Sequence, residues 1–444
     1  MRLRLKPLLA AACSRPARPS HFEAWLAPLV RDVTTCRRFQ SHQSTQKRSE
    51  PLRILFCGSD EFSSANLRAL HEEQLRNPGL IESIDVVVRP GKRVGRGNKK
   101  IQHPPIRDVA TELKLTIHER DTFTGWTMPT NINLIIAVSF GLFVPARLLR
   151  AARYGGLNVH PSLLPEFRGA APLHHALLAG RAATGVTLQT LDDRTFDAGV
   201  VLAQTPLSDG SLFAIPPGCT VPELQAGLTP LATEMLVSSL REGRHVPPHR
   251  AVGWQQQQQQ QQQDGSASGS ETPKGLLPDA TAWAPKITPQ MRQLVPPSDQ
   301  ASPAWTARQT VLRQRVIGPL WCKAREAHGK VKRVIVDDAM EEVAVPESDV
   351  FNPEKGLYKK LQIHRSSGRP ALDEQGGEDS IVSVIFWVPH DSEDIYLVES
   401  QTAALKIGRL KIEGDKAKPA TVALAHFESE VVEQNMIDAQ YVLR

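Results

Sequence analysis

Short apolar runs alternate with stretches of helical spacing through the first half of the chain, and this alternation restricts its folding more than any other feature. Residues 52–57 (LRILFC), 84–88, 134–138 (LIIAV), 157–160, 186–191 and 200–207 read as strands, being short and rich in Ile, Val and Leu. Residues 62–73, 106–115, 171–179 and 221–242 have the three-to-four spacing of helices, with Pro230 as an expected kink in the last. Strands that alternate with helices build crossover units. An α/β fold with a parallel, doubly wound sheet is therefore expected over residues 51–244.

The alternation stops there. Residues 245–303 hold nine prolines, a glutamine run at 255–263 and a Gly/Ser stretch, none of which can bury a core. A flexible linker is expected, with the glutamines as a tolerated surface insertion. In residues 304–444 a helix over 306–316 precedes short β-type runs at 331–336, 357–363, 381–388, 395–398 and 404–412. That spacing predicts a small antiparallel barrel or sandwich.

Charge is unevenly placed. The net +6 divides into +7 on residues 1–50 and −1 on the remainder. The first 22 residues carry five basic side chains and no acid, the composition of an organellar transit peptide. Residues 1–50 are accordingly read as a leader for mitochondrial import, with a cleavage neighbourhood near Arg37-Arg38-Phe39-Gln40-Ser41. The body of the protein has no overall attraction for polyanions, so any nucleic-acid surface must be local. The longest near-apolar stretch, residues 134–144, is too short to span a bilayer, so no membrane insertion is expected.

Several chemistries lose support. The first strand opens into Gly58-Ser59-Asp60-Glu61-Phe62, which lacks the glycine spacing of a dinucleotide cradle. Residues 91–97 are glycine-rich but lack the phosphate-loop pattern. The five cysteines form no CxxC pair, and His71 and the His245/His249 pair read as exposed histidines without metal-site partners. No metal is expected.

Residues 157–207 hold the informative pattern. Asn158 and His160 lie two apart on a strand and share a face, and Pro161 puts both at its carboxyl end. Ligands of open parallel sheets bind outside those ends. An amide donor beside an imidazole suits a carbonyl whose oxygen develops charge. Asp197, before Ala198-Gly199, offers a carboxylate to orient His160 or relay a proton. On spacing alone, turn and hydrogen-bonding roles for the same residues stay open.

The string Asn158-Val159-His160-Pro161-Ser162-Leu163-Leu164-Pro165, then Arg168-Gly169-Ala170-Ala171-Pro172 and Phe196-Asp197-Ala198-Gly199, resembles the folate-dependent formyltransferases, most closely their tRNA-acting members. Residues 138–145, 284–287 and 405–419 resemble the family's folate-pocket segment, linker motif and C-terminal barrel loop. The resemblance implies a Rossmann-like catalytic domain followed by an OB-like antiparallel β-barrel over residues 304–444. It implies 10-formyltetrahydrofolate as co-substrate and methionyl initiator tRNA as partner; the leader adds the mitochondrial matrix as the expected compartment. Oligomeric state is not indicated, a monomer being the expectation.

By that resemblance Asn158 donates to the formyl oxygen, His160 stabilises the tetrahedral intermediate, and Asp197 assists removal of the amine proton. Phe140, Gly141, Leu142, Ser162, Leu163, Leu164 and Pro165 would line the folate site. The loop over residues 89–100 (RPGKRVGRGNKK) has six basic residues and no acid. Its Arg89, Lys92, Arg93, Arg96, Lys99 and Lys100 would contact tRNA phosphates. Lys406, Arg409, Lys411, Lys416 and Lys418 would extend that surface. Family enzymes that formylate small molecules such as glycinamide ribonucleotide, or hydrolyse the donor, are one alternative. The leader, basic loop and second domain argue against it. A catalytically idle RNA-binding module is the other, against which the presence of all three catalytic residues argues.

Overall fold

The computed structural model describes residues 49–95, 97, 99–206, 211–254, 279, 281–294, 306–344, 355–365, 380–398 and 403–432. Residues 1–48 of the span read as a leader, the glutamine run and Arg96 lie outside the described residues. The first half runs β1 (Leu52–Gly58), α1 (Glu61–Arg76), β2 (Ile81–Val88), β3 (Lys92–Val94), β4 (Lys100–Gln102), α2 (Pro105–Glu112), β5 (Thr116–Glu119) and β6 (Leu134–Val138). It continues with α3 (Ala146–Ala151), β7 (Gly156–His160), α4 (Pro172–Leu178), β8 (Ala183–Thr184), β9 (Thr187–Thr190), β10 (Val201–Gln204), β11 (Phe213–Ala214) and α5 (Val221–Arg241).

Seven strands form one sheet in the order β10-β9-β7-β6-β1-β2-β5. β1 pairs in parallel with both β2 and β6, β6 with β7, and β2 with β5. The expectation of a parallel sheet needs one correction: at the β7 edge, β9 runs antiparallel to both of its neighbours, β7 and β10. An apolar run shows that a strand is buried but not its direction.

Alternation along each central strand explains why both faces are covered. Ile54, Phe56, Val86, Val88, Ile136 and Val138 pack with α1, α2 and α5. Leu55, Cys57, Val87, Ile135 and Ala137 face Phe123, Val144, Leu148 and Leu149 on the other side. The helix α5 continues through Pro230, the expected kink site, and buries Leu224, Leu228, Ala232, Leu236 and Leu240 at four-residue intervals. Its start is fixed by reciprocal bonds between Thr220 and Glu223. The strand order reverses between β1 and β6, which opens a crevice at their carboxyl ends.

Parts of the span read as a flexible linker are packed. Trp254 is buried, and its Nε1 donates to the Leu164 carbonyl at 3.1 Å. His245, read as exposed, is buried edge-on against Tyr154, and its Nε2 lies 2.9 Å from Ser49 Oγ. Burial lowers its pKa to about 4. Residues 281–284 dock by backbone hydrogen bonds, which no side-chain pattern announces.

The second domain runs α6 (Ala307–Ile317), β12 (Trp321–Arg325), β13 (Val331–Val336), β14 (Glu341–Ala344), β15 (Gly356–Arg365) and β16 (Ser380–Pro389). β17 (Ile395–Val398), β18 (Ala403–Ile407), β19 (Arg409–Ile412), β20 (Lys418–Pro419), α7 (Ala420–Leu424) and β21 (Ser429–Val431) complete it. Its sheet has the order β14-β18-β17-β16-β15-β12-β13-β19-β20, with β21 on β15. β18 and β19 are separated by Gly408 alone yet pair near opposite ends of that order. The antiparallel sheet must therefore curl back on itself, as a barrel does.

Candidate active site

β7 carries Asn158 and His160 to the crevice, and the turn after β9 brings Asp197 to meet them. Asn158 Nδ2 donates to Asp197 Oδ1 at 2.9 Å, and Gln189 Nε2 donates to the same oxygen at 3.3 Å. The Gly169 N–H donates to Asp197 Oδ2 at 3.0 Å. His160 Nδ1 lies 3.5 Å from Asp197 Oδ1, and the two side chains are 6% and 9% exposed. Three donors thus hold both carboxylate oxygens in place.

His160 is fixed from its other side. Its Nε2 is 3.0 Å from the Phe167 carbonyl, which can only accept, so Nε2 is assigned the hydrogen and Nδ1 faces Asp197. The backbone pays for this arrangement at Asp197, which has a φ of +54°. Two residues on, a Cβ at Gly199 would stand 1.7 Å from the Thr190 carbonyl oxygen, so the turn requires glycine there.

The constellation opens on a cavity of about 810 Å³, bordered also by Phe140, Gly141, Leu142, Phe143, Phe196 and Trp283. Phe143 and Phe196 meet edge-on with centroids 5.2 Å apart. Such a volume, with apolar walls and a few convergent polar groups, suits a drug-sized ligand. His174, which also borders the cavity, has its pKa lowered, chiefly by burial. Among the described residues no cluster of three or more His, Cys, Asp or Glu could hold a metal ion.

The expected folate residues divide. Phe140, Gly141 and Leu142 border the cavity, whereas Ser162, Leu163, Leu164 and Pro165 do not. After Pro161 the chain turns into the body of the domain. Ser162 Oγ closes that turn on the Glu166 carbonyl at 2.6 Å, and Leu163 and Leu164 are core residues. Spacing had not singled out Gln189, the Gly169 amide or the Phe167 carbonyl. A polar residue inside the buried strand β9, opposite Asn158, was the available signal for Gln189.

The basic loop forms a hairpin, with Lys92, Arg93 and Val94 opposite Gln102, Ile101 and Lys100. Lys92, Arg93, Lys99 and Lys100 are exposed, and none borders the cavity. Arg89 is paired with Asp121 at 2.6 Å. In the second domain, Lys406 pairs with Asp394 at 3.0 Å and Lys418 with Asp415 at 3.3 Å, whereas Arg409, Lys411 and Lys416 remain largely exposed.

Residues 52–209 match the family model described as formyl transferase. The mitochondrial methionyl-tRNA formyltransferase of Saccharomyces cerevisiae is 36% identical over 257 residues, covering 50% of this chain and 63% of that protein. The protein of the same name from Homo sapiens is 32% identical over 245 residues, 55% of this chain and 56% of that one. The methionyl-tRNA formyltransferase of Ehrlichia chaffeensis is 33% identical over 202 residues, 44% and 63% of the respective chains. The chain thus spans between about half and two thirds of the length of these relatives. Residues 52–209, which gather Asn158, His160 and Asp197 beside one cavity, are thus similar to the formyl transferases.

Proposed function

We propose that this protein transfers the formyl group of 10-formyltetrahydrofolate to the α-amine of methionyl initiator tRNA in the mitochondrial matrix. The observation that carries the reading is the convergence of Asn158, His160 and the Gly169 amide on the Asp197 carboxylate, at the mouth of the cavity. The names of the relatives and the Arg-rich leader support the substrate and the compartment.

In this reading the donor lies in the cavity beside Phe140, Gly141 and Leu142. One hydrogen of Asn158 Nδ2 is committed to Asp197, and the second is directed to the formyl oxygen, where charge develops as the amine attacks. Asp197 accepts the proton that the amine must lose, and His160 Nδ1 stands where it can share that proton. The new N–C bond forms first, giving a tetrahedral intermediate; its collapse breaks the bond from carbon to the folate N10, which gains a proton. Offered the donor with charged initiator tRNA, with glycinamide ribonucleotide or with no acceptor, the full chain is expected to consume it only with the tRNA. Consumption with the small acceptor or with water alone would refute the reading.

The exposed hairpin would hold phosphates near the acceptor end. Replacing Lys92 and Arg93 together by Ala should weaken tRNA binding and flatten the log–log dependence of affinity on salt by about 1 per lost contact. Titrations at several salt concentrations would show this. An unchanged slope would make the hairpin an ordinary solvated surface.

A further inference from the structure

Residues 166–171 have two working sides. Toward the cavity, the Phe167 carbonyl accepts from His160 Nε2 and the Gly169 amide donates to Asp197 Oδ2, both at 3.0 Å. Along its other edge, the same stretch is bonded to the chain that leads to the second domain, whose Trp283 also borders the cavity. The Phe167 N–H donates to the Ala282 carbonyl at 2.8 Å, the Ala284 N–H to the Arg168 carbonyl at 2.8 Å, and the Ala171 N–H to the Ala284 carbonyl at 3.1 Å. Arg168 and Trp283 form a parallel bridge.

Side chains reinforce the register. Glu166, 4% exposed, accepts the Asp279 N–H at 3.0 Å and pairs with Arg181, whose guanidinium lies 5.9 Å over the Phe167 ring. Ala284 is fully buried against Phe167 and Ala176. Gly169 has a φ of +123°, and a Cβ there would stand 2.4 Å from the Ala284 carbonyl oxygen. Only glycine lets the two backbones approach this closely.

We propose that residues 281–284, with Asp279, are a positioning strand for the reaction, because their pairing holds the Phe167 carbonyl and Gly169 amide that orient His160 and Asp197. This rests on reading Asn158, His160 and Asp197 as the reacting site. The Phe167 carbonyl is an acceptor that keeps the hydrogen on Nε2 and leaves Nδ1 toward the carboxylate. Without the strand, the Phe167 and Ala171 amides and the Arg168 carbonyl lose their partners, and the peptide units between them are free to rotate. A segment that sequence places between domains thereby becomes part of the catalytic geometry.

Ala284→Pro in the full chain removes the N–H bonded to Arg168, and Asp279→Pro, at an exposed position, removes the one bonded to Glu166. Histidine-selective 15N spectra of the protein without donor or tRNA should show the His160 proton on Nε2 in the wild type and on both nitrogens in Ala284→Pro. At saturating methionyl-tRNA, kcat should fall about tenfold or more, while KM for the tRNA changes by less than about threefold. An unaltered tautomer with unaltered kcat in both variants would overturn the proposal. So would a raised KM with kcat intact, which would make the strand only a grip on the tRNA. Should Ala284→Pro fail to fold, Asp279→Pro decides by the same readouts. A wild type that forms no formyl-methionyl-tRNA would refute the function while leaving the tautomer spectra to judge the strand.

Discussion

Asp197→Asn is expected to lower kcat by about 10²–10⁴-fold, the range of a lost acid–base group, with the affinity for 10-formyltetrahydrofolate little changed. The substitution keeps the shape of the side chain but not its acceptors. Asn158 and Gln189 donate to one oxygen and the Gly169 amide to the other. An asparagine must turn its own NH₂ toward one of these donors, so the orientation of the group is lost together with its basicity. Rapid-quench measurement of formyl transfer, beside equilibrium binding of the donor, separates the two quantities. A rate within about tenfold of the wild type would remove Asp197 from proton transfer.

Asn158→Ala should cost about 10²–10³-fold in kcat, as expected for a donor aimed at a developing oxyanion. This variant also frees one oxygen of Asp197 from its closest side-chain donor. The effects of the two positions should therefore not add: the double variant should be scarcely slower than the slower single one. Additive losses, measured in single turnover with saturating donor and tRNA, would show that Asn158 and Asp197 act independently. That outcome would contradict their direct hydrogen bond as the basis of the mechanism.

The central strands were legible because burial on both faces leaves nearly continuous apolar runs, LIIAV and, after Arg53, ILFC. Pairing direction was not, since the residues of β9 and β10 would serve either orientation. β12 escaped notice because WCKAR alternates too weakly to signal a strand. The run at 404–412 looked like one strand, yet Gly408 divides it. The Gly408 amide bonds to Asp338 Oδ2 at 3.1 Å, and a Cβ there would lie 2.6 Å from that oxygen.

In the site, two-residue spacing correctly put Asn158 and His160 on a shared face, because a strand imposes that period. The meeting with Asp197 depends on β9 lying beside β7, which strand spacing does not encode. The likeness of residues 162–165 to a family string put them in the pocket, whereas after the turn closed by Ser162 they do not border the cavity. The docking of residues 281–284 is made by backbone amides and carbonyls, which every sequence possesses. Only the glycine at 169 marks it, and its meaning appears once Ala284 is in place.

The most direct measurement is a single-turnover reaction of the full chain, in excess over methionyl initiator tRNA, with isotopically labelled 10-formyltetrahydrofolate. Mass spectrometry of the amino acid released from the tRNA should find the labelled formyl group on the methionine α-amine in the wild type. The product should be strongly reduced in Asn158→Ala and Asp197→Asn. Well-folded wild-type protein that binds both substrates but leaves the amine unformylated would contradict the account.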